Sequence, residues 1–135
     1  RLENEGKGTT AAKAQDFRAF FDSVMMCHFA IVPPQKIVKL LNLASGRSYS
    51  LQDILKIGTR SVTMKRIFNL RAGLDFKSER LPKPLLIPQA DSVTDDFVPN
   101  LDVQLKEYYE YRKWDQSTGK PTEEALRELG LDYNY

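Results

Sequence analysis

Apolar residues along this chain recur in steps of three and four, the period of an α-helix. From Ala11 to Phe29 the positions Ala14, Phe17, Phe20, Phe21, Val24 and Cys27 fall on one wide helical stripe. Pro33-Pro34 stops that segment and fits the first turn of a second helix, which runs to about Leu43 with Ile37, Leu40 and Leu41 on one face. Gly46 then breaks the chain. Ser50, with Asp53 three residues on, offers an N-cap for a long third helix from Leu51 to Leu70, and Gly73 is placed to end it in left-handed geometry. Residues 74–100 contain Pro82, Pro84, Pro88 and Pro99 without sustained period, and are expected to form one long irregular crossing segment. Leu101 to Trp114 returns to helical spacing, with Leu101, Leu105, Tyr108, Tyr109 and Arg112 directed inward. Thr122 caps a short last helix, with Glu123 and Glu124 at its positive end and Gly130 at its stop. No convincing strand pair, internal repeat or low-complexity tract interrupts this pattern. The expectation is an all-α, multi-helix domain over residues 10–135, behind a polar, Gly-rich flexible end or linker remnant at 1–9.

Composition narrows the function classes. At 135 residues, with 41% hydrophobic and 28% charged residues, the chain has the size and make-up of one globular domain. A single cysteine excludes an internal disulfide framework and a self-contained zinc or iron–sulfur site, which needs about four ligands. No apolar run approaches the ~20 residues of a membrane span, and no signal-peptide pattern opens the chain. It begins at Arg1 rather than methionine, so a cytoplasmic origin with a processed or artificial start is expected.

Charge is unevenly spread. Residues 36–71 hold eight Lys/Arg against one acid, Asp53, whereas residues 91–135 hold eleven Asp/Glu against five Lys/Arg. Such regions either face each other, lie solvated, or present a basic patch to an acidic partner, a nucleic acid or a small acidic electron carrier. A freestanding helical interaction module using that patch is therefore the alternative to any enzymatic role. Leu51 to Ser61 loosely mimics a helix-turn-helix with Gly58 in the turn. Bulky Ile54 occupies the position where that motif prefers a small residue, so nucleic acid is not the expected partner.

Reactive groups cluster in one place, Phe21 to Phe29. On residue type alone, Cys27 and Met25-Met26 read as core packing and His28 as an ordinary histidine. No acid–base pair, Gly-rich phosphate loop or nucleophile elbow occurs elsewhere. Arg66, Asn69 and Arg71 read as capping or ion-pairing groups, and Tyr108, Tyr109 and Trp114 as core aromatics.

The order of several segments adds a resemblance. Tyr108-Tyr109, Arg112, Trp114-Asp115, Gly119, Pro121-Thr122, Leu126 and Leu129-Gly130-Leu131 resemble the pattern Y-Y-x-x-R-G-W-D-x-x-G-x-P-T-x-x-x-L-x-x-L-G-L, with one residue more between Asp115 and Gly119. Gly58, Arg60, Arg66, Phe68-Asn69, Arg71 and Gly73 follow G-x-R-x-x-x-x-x-R-x-F-N-x-R-x-G, and Glu79-Arg80-Leu81-Pro82 stands near D-x-L-P. Asp22 to Phe29 follows D-x-x-G-L-C, one residue, then Phe. Together these resemble the C-terminal part of the tungsten-containing aldehyde ferredoxin oxidoreductase family. The chain departs from the pattern at Met25 and Lys113, which replace glycine, at Met26, which replaces leucine, and at Pro84, where arginine is common.

The resemblance implies an oxidoreductase that converts an aldehyde and water to a carboxylic acid. Electrons would pass from tungsten (or molybdenum in a paralogue) on a bis-pterin through a [4Fe-4S] cluster to ferredoxin. It implies that Asp22 and Met26 border the pterin and that Cys27 is one ligand of the cluster. The other cluster cysteines and the main pterin-binding parts would lie in missing N-terminal and middle portions. On this reading the chain alone holds neither tungsten nor a stable cluster and is inactive.

Overall fold

The computed structural model describes residues 2–30, 32–75, 79–88, 94 and 96–131. Five α-helices follow one another: α1 (Lys7–Ser23), α2 (Pro34–Ser45), α3 (Leu51–Arg71), α4 (Leu101–Arg112) and α5 (Glu123–Leu129), with a 3₁₀ turn at Lys83–Leu86. Among the described residues there is no strand, only an isolated bridge between Trp114 and Pro121. The all-α expectation holds.

Helix α1 is the central element, packed along α3 on one side and α4 on the other. Two glycines let these backbones meet. A Cβ on Gly58 would overlap the Asp16 carbonyl and stand 2.6 Å from its carbon, and a Cβ on Gly8 would overlap the Gln104 carbonyl. Close crossing is a reason to keep glycine inside a helix, where it otherwise costs stability. Phe20, Phe21, Ile37 and Ile54 form one apolar cluster among α1, α2 and α3; Ile67, Leu126, Leu129 and Leu131 form a second between α3 and α5.

The ends of α3 follow the expected signals. Ser50 Oγ accepts from the Asp53 N–H at 3.2 Å, while the Asp53 carboxylate accepts from the Ser50 N–H at 2.7 Å, a reciprocal capping box. Helix α3 runs unbroken through Gly58, so the helix-turn-helix likeness of Leu51 to Ser61 has no structural counterpart.

The first helix departs from expectation at both ends. It starts at Lys7 rather than Ala11, because the Glu107 carboxylate of α4 accepts from the Gly6 and Gly8 N–H groups at 2.6 and 3.0 Å. It stops at Ser23 rather than Phe29. Met25 donates to the Asp22 carbonyl at 3.2 Å and Met26 to the Phe21 carbonyl at 3.0 Å, the pattern of a Schellman stop. Cys27 is thus not on the apolar stripe but exposed.

Four helices end in this way, with Met25, Gly73, Lys113 and Gly130 as the left-handed residues at φ 54°, 87°, 52° and 61°. Glycine takes that conformation without a Cβ penalty. Met25 and Lys113 do not, and both stand where the resembling pattern has glycine.

Candidate functional site

Polar side chains hold α1, α3 and α4 together beneath the surface. Arg112 Nη1 pairs with Asp16 Oδ1 at 2.9 Å, and Arg112 Nη2 donates to the Ala12 carbonyl and to Gln15 Oε1, each at 3.1 Å. Thr59 of α3 donates to the other Asp16 oxygen at 2.8 Å. A second network surrounds Arg66, which donates to the Gly119 carbonyl at 2.8 Å and to the Tyr109 hydroxyl at 3.2 Å, and pairs with Glu79. Tyr109 also donates to Glu79. The guanidinium carbons of Arg66 and Arg112 stand 5.0 and 5.5 Å from the Trp114 ring centroid, within cation–π range.

These networks border an open cleft of about 670 Å³ between α1, α3 and α4. Lys7, Arg18, Lys65, Arg66 and Arg80 line it, with Asp22 and Glu79 as its two carboxylates; Gln15, Asn69, Gln104, Tyr108 and Trp114 complete the polar and aromatic wall. The buried indole N–H of Trp114 has no acceptor among the described residues. Ala11, Ala19, Val62, Leu101 and Leu105 add apolar surface between these cations, so the cleft suits a ligand with both acceptor groups and apolar area.

Burial beside and beneath the cleft moves two phenols. Tyr109 is pushed up to about 12, first by loss of water and then by donating to the Glu79 carboxylate. Burial raises Tyr108 as well, opposed by the nearby Arg112 guanidinium. Both phenols therefore stay protonated at neutral pH and act as hydrogen-bond donors; Tyr108 donates to Gln15 Oε1 at 2.5 Å.

The three residues singled out by sequence do not share this cavity. Asp22, on the last turn of α1, lines the cleft; its Oδ1 lies 2.7 Å from His28 Nε2 and its Oδ2 3.9 Å from Lys65 Nζ. Met26 is half-buried and packs against the Phe20–Phe21 cluster. Cys27 sits between them and His28 on the loop after α1, its thiol free and exposed. No group of three or more His, Cys, Asp or Glu side chains among the described residues is arranged to hold a metal ion. The donor set is thus one accessible thiol and one cleft-facing carboxylate.

Residue type alone missed Asp16, Gln15, Arg18 and Lys65. Asp16 looks like a surface acid, yet it is 1% exposed. The one available signal was Gly58 inside a long helix, which announces a backbone crossing and hence a desolvated neighbour. Arg66 pairs with an acid and a carbonyl, and Tyr109 and Trp114 are core aromatics, as expected.

Comparison with known proteins gives the family. The family model described as aldehyde ferredoxin oxidoreductase, domains 2 and 3, matches residues 1–131. The chain belongs to the aldehyde ferredoxin oxidoreductase family. It is 38% identical over 122 residues to the tungsten-containing aldehyde ferredoxin oxidoreductase of Pyrococcus abyssi, covering 87% of this chain and 20% of that protein. The Pyrococcus furiosus and Thermococcus kodakarensis proteins of the same description are 36% and 37% identical over 121 residues, with the same coverage. The chain therefore spans about one fifth of the length of these curated relatives. No helix among its described residues is long and apolar enough to cross a membrane.

Proposed function

We propose that this chain forms one wall of the cofactor cavity in a cytoplasmic, tungsten-containing oxidoreductase that converts an aldehyde and water to a carboxylic acid. The observation that carries this reading is the match across residues 1–131, within which the motif thiol of Cys27 is exposed and the motif carboxylate of Asp22 faces a cleft. A tungstopterin supplies the redox chemistry when bound, and the protein around it supplies position and electrostatics. Cys27 contributes its thiolate to a [4Fe-4S] cluster, since such clusters are held by cysteine thiolates. Asp22 accepts hydrogen bonds from pterin N–H groups, and Met26 backs that loop from the core side.

Around the cleft, Lys7, Arg18, Lys65 and Arg80 keep the local potential positive and favour an electron-rich ligand. Seven of the eight basic residues between 36 and 71 are exposed, all but Arg66, and give an acidic electron acceptor such as ferredoxin a surface to approach. Taken alone, the 135-residue chain has one thiol and no aldehyde-oxidising activity.

The test is Cys27→Ser in the full-length protein. Iron content and the electron paramagnetic resonance signal of the reduced cluster are expected to fall sharply, with the helical circular dichroism unchanged. A variant retaining full iron and the parent spectrum overturns the ligand assignment.

A further inference from the structure

The loop that carries Cys27 begins with a residue in an unfavourable conformation. Met25 stands at φ 54° with its side chain 93% exposed, so no packing of its own repays the left-handed backbone. Strain of this kind persists only when the surroundings over-determine the geometry. The next turn supplies that constraint. His28 Nε2 bonds Asp22 Oδ1 at 2.7 Å, Arg18 Nη1 donates to the His28 carbonyl at 3.2 Å, and the His28 ring meets Phe21 edge-on at 6.1 Å between centroids. All three partners lie on the last turns of α1. The Ala30 N–H donating to the Cys27 carbonyl at 3.0 Å closes the turn behind it.

We propose that His28 is a positioning residue. It clamps the 24–30 loop onto α1 through Asp22 and Arg18, and so fixes the place at which the Cys27 thiol is presented despite a strained Met25. Its purpose rests on the ligand role proposed for Cys27; its geometry does not. His28 has a second consequence, because it also fixes the orientation of the Asp22 carboxylate at the cleft. One histidine thereby links the carboxylate and the thiol that the family motif separates by four residues. Glycine at the Met25 position would need no such clamp, which makes the two residues a coupled pair.

The experiment uses the full-length protein and peptide-resolved hydrogen exchange. His28→Ala is expected to speed exchange of the Met26 and Ala30 amides about two- to fivefold, the scale of one half-exposed side-chain bond to a carboxylate. Amides in the middle of α3 are expected to exchange as in the parent. His28→Gln, whose amide can still donate to Asp22, restores protection. Met25→Gly in the His28→Ala background restores it too, because glycine takes the left-handed turn without help. Unchanged exchange in His28→Ala, or failure of Met25→Gly to restore it, overturns the proposal. Iron content of Cys27→Ser separates the two ideas. If that variant keeps its iron, the ligand reading fails alone, and the exchange rates of His28→Ala still decide the clamp.

Discussion

Arg112 and Asp16 form an ion pair 2.9 Å long in which neither side chain meets water, at 0% and 2% exposure. It joins α4 to α1, and Thr59 brings α3 to the same carboxylate. The cleft's two inner walls therefore share one polar rivet, and the position of Asp22 above it depends on α1 staying where this pair holds it.

Breaking the pair from either side leaves a buried charge without a partner. Asp16→Ala and Arg112→Met are each expected to cost about 3–5 kcal/mol. The double variant is expected to cost clearly less than the sum, because it leaves no orphaned charge. Urea unfolding of the four proteins measures the coupling. Additive losses would mean that the pair itself contributes little and that packing accounts for the effect.

Gly58 and Gly46 separate two reasons for glycine. Gly58→Ala drives a Cβ into the Asp16 backbone, which cannot yield without parting α1 from α3, so a loss above about 3 kcal/mol is expected. Gly46→Ala meets nothing within 4 Å but strains a residue at φ 67°, for a loss of about 1 kcal/mol. Thermal melts that ranked the two in the opposite order would contradict the close crossing.

Local signals in the chain were enough for the helices themselves. The Ser50–Asp53 box, Pro34 at the start of α2, and Gly73 and Gly130 at two stops all lie within a few residues of what they control. The end of α1 was not legible, because its left-handed stop is Met25, a residue type that carries no stop signal. Its beginning was missed because the partner of Gly6 and Gly8 is Glu107, a hundred positions away. The cleft is non-local for the same reason: Gln15, Asn69, Glu79 and Tyr108 converge only after α1, α3 and α4 are stacked. Motif spacing drew attention to Asp22 and Cys27 as candidates, but it could not tell that His28 would bind the former.

Tyr109 offers a pH test of the Glu79 network. Its ordinary value is 10.0 and its folded value about 12, so the folded state holds its proton more tightly than the unfolded chain. The stabilisation is complete below pH 10 and drains away as pH rises toward 12. Phenolate ultraviolet absorbance is expected to show one tyrosine ionising last, near pH 12. Glu79→Gln moves that midpoint downward without reaching 10, because burial, the larger cause, remains. A midpoint unmoved by Glu79→Gln would remove the carboxylate from the account.

Lys113 sets backbone strain against surface charge. Its Nζ lies 2.7 Å from Glu124 and 2.5 Å from Glu128, and these carboxylates raise its pKa, Glu124 foremost. All three groups are exposed, where ion pairs are screened by salt and contribute little. The left-handed φ of 52° is a penalty that salt does not touch. Lys113→Gly is therefore expected to raise the melting temperature by a few degrees, roughly 2–4 °C, and by more in molar salt than in dilute buffer, since only the lost pairs are salt-sensitive. Calorimetry at both salt concentrations reads the balance. A variant that melts lower than the parent even at high salt would show that the Lys113 side chain, rather than its backbone, is what the α4 stop requires.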